Sequence, residues 1–209
     1  MSFKFELSIS LILSFIFLVG FSSVAFFVSA NDILQFDRRI ISFIQGLESP
    51  IMTKWMELIT FIGSTRQVII ISILVMLFLF IVLKHRSELI LMMVTIAGSA
   101  LINQGLKHFF QRARPEFHRL IEIEGYSFPS GHAMNAFTVY GIITFLLWRH
   151  IHKRSGRIIL LLFSTLMILG IGMSRIYLGV HYPTDIIGGY LASGCWLTIV
   201  IWVYRRKRR

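Results

Sequence analysis

The sequence has little of what a soluble domain contains: charged residues make up 15% of it, and Cys195 is the only cysteine in 209 residues. Soluble domains carry about 25% charged residues. A single cysteine excludes an intramolecular disulfide and any cysteine-rich metal site. Acidic residues number 10 against 21 Lys and Arg, so the net charge is +11. Apolar residues make up 56% of the sequence, with a mean hydropathy of +0.74, as expected for an integral membrane protein.

The apolar residues fall into six runs, each near the ~20 residues needed to cross a bilayer. They predict an all-α, polytopic membrane helix bundle in a single domain of residues 1–209, with six spans at about 8–30, 67–83, 89–106, 132–148, 158–174 and 185–204. Val28-Ser29-Ala30 resembles a signal-peptide cleavage site. Because the first run exceeds the roughly 7–15 apolar residues of a signal core, we expect a retained anchor.

The basic residues cluster at the ends of the apolar runs and predict the orientation. With a cytoplasmic N-terminus, the inner segments hold 12 basic and two acidic residues, and the outer segments hold nine basic and eight acidic residues. Short inner loops rich in Lys and Arg follow the positive-inside rule. We therefore expect a multi-pass cell-membrane protein with both termini in the cytoplasm. The basic tail, residues 205–209, then serves as a topology anchor beside anionic headgroups, and no nucleic-acid partner is expected.

Two outer segments are too polar to span the membrane. Segment 31–66 predicts two short amphipathic helices at the interface, the first capped by Asn31 or Asp32 and the second by Ser49, with Pro50 at its first position. These helices either line a groove for lipid chains or only cover the outer end of the bundle. The sequence does not decide between the two. Loop 116–128 lies over the outer ends of the spans, where it either contacts a lipid headgroup or anchors the chain at the interface.

Three polar motifs stand at the outer ends of the predicted spans, although the orientation was derived without them. They read Lys107-x6-Arg114-Pro115, Pro129-Ser130-Gly131-His132 and Ser174-Arg175-x5-His181-x3-Asp185. Each residue alone has an ordinary explanation, such as a helix cap or a snorkelling side chain. Their combination on one predicted side of the membrane favours a functional site.

The cations and helix starts in these motifs suit a phosphate group. Lys107, Arg114 and Arg175 supply fixed positive charge, and guanidinium groups bind phosphate through paired hydrogen bonds. Ser130 is a good N-cap for the fourth span, which would point its hydroxyl outward, and Gly131 adds small backbone donors. Helix N-termini attract anions. Arg112 is interpreted as a headgroup contact and left out of the site.

The histidines and Asp185 suit phosphoryl transfer. His181 and Asp185 are four residues apart at a helix start, so their side chains can meet. A carboxylate on one ring nitrogen fixes the tautomer and raises the basicity of the other. We therefore expect His181 to act as a nucleophile that forms a phosphohistidine, and His132 to donate a proton to the leaving oxygen and then activate water.

The three motifs resemble those of the type 2 phosphatidic acid phosphatase superfamily, also called lipid phosphate phosphatases, in order, identity and spacing. The resemblance extends to the six-span topology, and the short loops are most similar to bacterial members acting on phosphatidylglycerol phosphate or undecaprenyl pyrophosphate. It implies a metal-independent enzyme without a cofactor. The catalytic residues would be His181, Asp185 and His132, and the phosphate would be bound by Lys107, Arg114, Ser130, Gly131 and Arg175.

The sequence thus predicts a membrane phosphatase for lipid phosphates or pyrophosphates, with its site at the outer face of the cell membrane. The headgroup is left open among phosphatidylglycerol phosphate, undecaprenyl pyrophosphate, phosphatidic acid and diacylglycerol pyrophosphate. One alternative is a phosphotransferase with a lipid or sugar hydroxyl as acceptor. Another is hydrolysis of a soluble sugar phosphate, and a third is a non-catalytic anion-binding membrane protein, which would not need His181.

Overall fold

A computed structural model describes residues 3–30, 32–81, 86–116 and 118–207. Across these ranges the chain forms eight α-helices and no strand. Three features of the sequence lie outside the described ranges: the predicted cap Asn31, the basic residue Lys84 and the last two residues of the basic tail. The helices are α1 (Phe3–Ser29), α2 (Leu34–Gln45), α3 (Pro50–Ile62), α4 (Thr65–Ile81), α5 (Arg86–Phe110), α6 (Gly131–Trp148), α7 (Arg154–Tyr177) and α8 (Pro183–Lys207).

Several of these helices are long and apolar enough to cross a membrane. Within the described residues four qualify alone, in α1, α5, α7 and α8. A fifth span results if α3 and α4, which meet at an angle of 54°, are counted as one broken span. The predicted all-α, polytopic membrane bundle is therefore confirmed, whereas the number of six spans stays a prediction.

Helix α6 corresponds to a predicted span, but it does not qualify on its own as a helix that could cross a membrane. It is an inner helix that packs against α5, α7 and α8, and much of its surface is buried. Its first turns carry His132 and Asn135, polar residues that lower the hydropathy of a short helix. Inside the bundle such groups are tolerated because other protein groups, not lipid, surround them.

Small residues allow the helices to approach closely. A Cβ atom on Gly98 of α5 would overlap the Trp196 ring of α8. A Cβ atom on Gly189 of α8 would lie 3.0 Å from the carbonyl oxygen of Ser130. Lipid is as apolar as a leucine side chain, so close packing rather than the hydrophobic effect holds such helices together. This packing brings the start of α8 against the start of α6.

The two short helices predicted for segment 31–66 are α2 and α3. Ser49 caps α3, its hydroxyl oxygen accepting from Met52 N at 3.3 Å, and Pro50 is the first helical residue, as predicted. The Asp32 cap of α2 is wrong, because the N-cap residue is Ile33 and its side chain makes no capping bond. Helix α2 is instead held by its buried residues, which face α7 and α8.

Candidate active site

One cavity of about 460 Å³ lies where α5 and α7 end and α6 and α8 begin. Six of the eight residues predicted for the site line it: Lys107, Arg114, Gly131, His132, Arg175 and His181. The other two, Ser130 and Asp185, are fully buried and do not line it. The fold therefore brings together residues up to 74 positions apart in the chain, although the role of each one stays a prediction.

A tight turn after α7 places His181. The turn contains Gly179 at φ +73°, a left-handed conformation that suits glycine. The backbone N–H groups of Val180 and His181 both donate to the carbonyl of Arg175, at 3.2 and 3.3 Å. A Cβ atom on Gly179 would overlap the carbonyl oxygen of His118 in loop 116–128. Glycine thus lets the turn fold back under the loop and hold His181 close to Arg175.

The two ring nitrogens of His181 have different partners. Nδ1 lies 3.2 Å from Asp185 Oδ2, and Nε2 lies 3.2 Å from Arg114 Nη1. A guanidinium group can only donate hydrogen bonds, so Nε2 is the acceptor and Nδ1 carries the proton. Asp185 Oδ2 also accepts from the Tyr182 backbone N–H at 2.9 Å. This is the tautomer that leaves the Nε2 lone pair on the cavity side.

His181 is held in its neutral form. Only 2% of the residue is exposed, and burial is the main reason that its pKa lies well below the ordinary value. The nearby charges of Arg175, Arg114 and Lys107 lower the pKa further. At neutral pH the imidazole therefore keeps the lone pair that a nucleophile needs.

Three cations, Lys107, Arg114 and Arg175, face the same cavity, and the first two donate mainly to backbone carbonyls. Lys107 Nζ donates to Tyr126 O at 2.9 Å. Arg114 donates to Gly125 O at 2.9 Å and to Val180 O at 2.8 Å. Carbonyl groups orient the cations without neutralising them, so the cavity keeps a positive potential that attracts anions.

Arg175 is the most deeply buried of the three cations, at 2% exposure. Its Nη1 donates to Thr60 Oγ1 at 2.7 Å. Its Nε has no hydrogen-bond partner among the residues that the structure describes. A buried charged donor without a partner is costly, and an anion in the cavity is the kind of group that would relieve this cost.

Ser130 is the N-cap of α6, as predicted. Its hydroxyl oxygen accepts from Ala133 N at 3.4 Å, and its backbone N–H donates to the Asp185 carbonyl at 3.0 Å. Contrary to expectation, the hydroxyl is buried and does not open outward, because the start of α8 covers it. Gly131, the next residue, does line the cavity and leaves the helix start accessible there.

Two contributions were missed at the sequence level. Asn103 lines the cavity, and its Nδ2 donates to the Pro129 carbonyl at 3.2 Å, which supports the turn before Ser130. The sequence feature that could have identified Asn103 is a polar side chain within an apolar span, because such residues inside a membrane are usually functional. Arg112, interpreted as a headgroup contact, is instead bonded to Asp37 at 2.9 Å and to Asp185 at 2.6 Å.

The comparison with known families decides the classification. The sequence model of the PAP2 superfamily matches residues 88–209, which is more than half of the 209 residues. The chain belongs to the PAP2 superfamily. The resemblance to type 2 phosphatidic acid phosphatases is thereby confirmed, and the matched PAP2 region contains all three motifs.

Two relatives agree with this assignment by name. The chain is 32% identical to phosphatidylglycerophosphatase B of Bacillus subtilis (strain 168) over 168 residues, which cover 78% of this chain and 80% of the relative. It is 32% identical to the putative undecaprenyl-diphosphatase YbjG of Escherichia coli (strain K12), over 74% of this chain and 77% of the relative. This PAP2 protein is therefore a lipid phosphate hydrolase by class, as predicted.

Two solved structures share the fold. The transmembrane PAP2-type phosphatidylglycerolphosphate phosphatase from Bacillus subtilis superposes with a TM-score of 0.86 at 26% identity, covering 94% of this chain and 98% of that one. LpxE of Aquifex aeolicus superposes with a TM-score of 0.62 at 26% identity, covering 78% and 93%. Because 94% of this chain is covered, the likeness to the Bacillus enzyme extends beyond residues 88–209 into the N-terminal part of the chain.

Proposed function

We propose that this chain hydrolyses lipid phosphates or lipid diphosphates at the outer face of the cell membrane, through a phosphohistidine on His181. The observation that carries the proposal is the cavity in which His181, His132 and three cations meet. Phosphate is the common ligand for which such a set of donors is suited. The orientation rests on the distribution of Lys and Arg in the loops.

The chemistry would proceed in two displacements. In the first, His181 Nε2 attacks phosphorus, a P–N bond forms and the bond to the leaving oxygen breaks. His132 donates the proton that the leaving oxygen takes up. In the second, water deprotonated by His132 attacks phosphorus, the P–N bond breaks and inorganic phosphate leaves. Lys107, Arg114 and Arg175 would stabilise the charge on the equatorial oxygens in both transition states.

Arg114 links substrate binding to this attack. Its Nη1 donates to the Nε2 lone pair of His181 at 3.2 Å, and that lone pair must be free to attack. A phosphate oxygen is a stronger acceptor than an imidazole nitrogen because it is charged. Binding of phosphate would draw the guanidinium from Nε2 and release the nucleophile as the phosphorus arrives.

The candidate substrates come from the relatives. Their names point to phosphatidylglycerol phosphate and undecaprenyl diphosphate, and a lipid A 1-phosphatase is a further relative, 30% identical over 51% of this chain. We propose the first two lipids as substrates and phosphatidic acid as a third to test. The shared chemistry is a terminal phosphate on a membrane lipid.

The test is phosphate release by detergent-purified protein from these three lipids and from soluble glycerol phosphate, with a chelator present throughout. His181→Ala should lower the rate by at least ~10³-fold, as expected when a nucleophile is removed. His118→Ala is the matched control, because His118 is exposed and pairs with Glu48 at 2.9 Å, away from the cavity.

Chelator-resistant release from a lipid that depends on His181 but not on His118 would support the proposal. Release that survives His181→Ala would contradict the phosphohistidine mechanism. Transfer of the phosphate to an added hydroxyl compound in place of its release would identify a phosphotransferase. Equal rates with soluble glycerol phosphate would remove the requirement for a lipid.

A further inference from the structure

Asp37 is a fully buried carboxylate of α2 that lies outside the three motifs. Its Oδ1 accepts from the Thr184 backbone N–H at 3.0 Å. Its Oδ2 accepts from the Thr184 hydroxyl at 2.7 Å and from Arg112 Nη2 at 2.9 Å. A charge buried this deeply is costly unless it is paired and hydrogen-bonded. These bonds meet that requirement and connect an outer helix to the first turn of α8.

Arg112 continues the connection to the site. Its Nη1 donates to Asp185 Oδ1 at 2.6 Å and to the Thr184 hydroxyl at 2.8 Å. Its guanidinium lies 4.0 Å from the centroid of the Tyr182 ring, and its side chain is 10% exposed. The planar guanidinium therefore has one nitrogen on each of two buried carboxylates and an aromatic face beside it, which leaves it a single orientation.

Asp185 uses its two oxygens for different partners. Oδ1 accepts from Arg112, and Oδ2 accepts from the Tyr182 N–H at 2.9 Å and faces His181 Nδ1 at 3.2 Å. A carboxylate with both oxygens occupied cannot rotate about its bond to Cβ without losing hydrogen bonds. The orientation of the His181 ring is thus fixed through Asp185 by Arg112.

We propose that Asp37 and Arg112 are positioning residues for the nucleophile, acting in the order Asp37, Arg112, Asp185, His181. The proposal rests on the proposed function, because it assumes that His181 attacks phosphorus. Neither Asp37 nor Arg112 lines the cavity, so their effect is on the reactivity of His181 and not on the binding of phosphate.

The physical role of Asp37 is to share the charge of Arg112. When His181 attacks, its ring gains positive charge, and Asp185 stabilises that charge. An arginine bonded to Asp185 alone would withdraw negative charge from the carboxylate and weaken this stabilisation. Asp37 offers a second anion on the opposite side of the guanidinium, so Asp185 keeps more of its charge for His181.

The experiment compares Asp37→Asn with Glu48→Gln in the full-length protein. Both variants remove one carboxylate charge, but Glu48 is half-exposed in its ion pair with His118 and does not contact this network. We expect Asp37→Asn to lower kcat about ten- to hundredfold, the size expected for loss of a hydrogen bond between charged groups. Glu48→Gln should change kcat less than twofold.

A loss of folded protein would also lower kcat, so the folded sites are counted separately. Binding of inorganic phosphate, measured by calorimetry, should keep its stoichiometry and its Kd within about twofold in Asp37→Asn, because the cations of the cavity are unchanged. The rate per phosphate-binding site then reports on reactivity alone.

Arg112→Gln and the double variant Asp37→Asn, Arg112→Gln provide the second measurement. The single Arg112 variant leaves two buried carboxylates without their shared cation and should be the slowest. In the double variant one of the two anions is removed together with the cation, so it should lose less activity than the product of the two single losses, a coupling expected for residues of one network.

Two outcomes would overturn the inference. One is an unchanged rate per phosphate-binding site in Asp37→Asn while His181→Ala is inactive. The other is strictly multiplicative losses in the double variant. If His181→Ala itself keeps its activity, the proposed function fails first, and the two failures are thereby distinguished.

Discussion

The two ends of the bundle both carry arginines, but they use them differently. At the cavity end, Arg114 and Arg175 are 8% and 2% exposed and converge on one cavity. At the opposite end, where α8 finishes, Arg157 lies 5.0 Å from the centroid of the Trp148 ring and Arg206 lies 5.3 Å from that of Trp202. Each of these outlying arginines has an aromatic partner, a common arrangement near a membrane surface.

The difference shows that convergence, and not charge itself, indicates a phosphate site. A buried cation is expensive unless an anion compensates it, and the cavity end brings two of them, Arg114 and Arg175, together with the partly buried Lys107. The opposite end spreads its cations over the helix ends, where water and headgroups solvate them. Net charge and residue counts do not distinguish the two ends of the bundle. The burial of the cations and the distances between them do.

The largest expected difference between the two ends is in kcat/KM, after one guanidinium group is removed from each of them. Arg175→Gln should lower kcat/KM for a lipid phosphate about 10²- to 10³-fold, the loss seen when one preorganised donor to a transition-state oxyanion is removed. Arg206→Gln removes the same charge from an exposed position and should leave kcat/KM within about twofold. Comparable losses in both variants would show that general positive charge, and not the cavity, supports activity.

A smaller effect is expected from the turn that positions His181. Gly179→Ala forces a Cβ into a left-handed residue and against the His118 carbonyl, which costs on the order of 1–3 kcal/mol. Displacement of the turn should lower kcat about tenfold or more, because it moves the nucleophile.

The matched glycine control is Gly105→Ala in α5. Gly105 is helical, and nothing lies within 4 Å of the position that its Cβ would occupy. Alanine is favoured over glycine in a helix by about 1 kcal/mol, so this variant should be as stable as the parent or more stable, with full activity. If Gly179→Ala kept full activity too, the turn would not be what places His181.

Much of the fold and of the candidate site could be predicted from the sequence, because the three motifs have fixed spacing and lie at helix ends. The i, i+4 relation of His181 and Asp185 needs only a helix start to bring the side chains together, and the Ser130 cap follows from residue type. Alternation of span direction then places the ends of α5 and α7 beside the starts of α6 and α8. These arguments are local or topological, and they require no knowledge of packing.

The parts that sequence reasoning missed depend on tertiary contacts. Asp37 lies in a segment interpreted only as an amphipathic helix, and its partner Arg112 is 75 residues away in the chain. No local pattern relates the two. The missing cap of α2 has the same origin, since burial of Asp37, Ile41 and Ile44 fixes that helix without a capping bond. Propensity and spacing cannot report which surface a short helix packs against.

The smallest predicted effect is on the pH dependence of stability. It should arise from residues at the cavity end and not from those at the opposite end. Burial, Arg175 and Arg114 lower the pKa of folded His181 well below its ordinary value of 6.5. Below that pH the unfolded chain therefore binds a proton that the folded chain does not bind. Stability rises with pH where the unfolded state binds more protons, so acidification below 6.5 should destabilise the protein by up to about 1.4 kcal/mol per pH unit through this group.

The measurement is the free energy of unfolding in detergent between about pH 7 and pH 5, a window chosen around the ordinary histidine pKa. His181→Ala should show a shallower loss of stability on acidification than the parent. Arg206→Gln should keep the parental slope, because Arg206 lies at the opposite end and is not among the charges that lower the pKa of His181. A parental slope in His181→Ala would mean that the buried imidazole is not held neutral, and the cations at the cavity end would then be no different in effect from those at the opposite end.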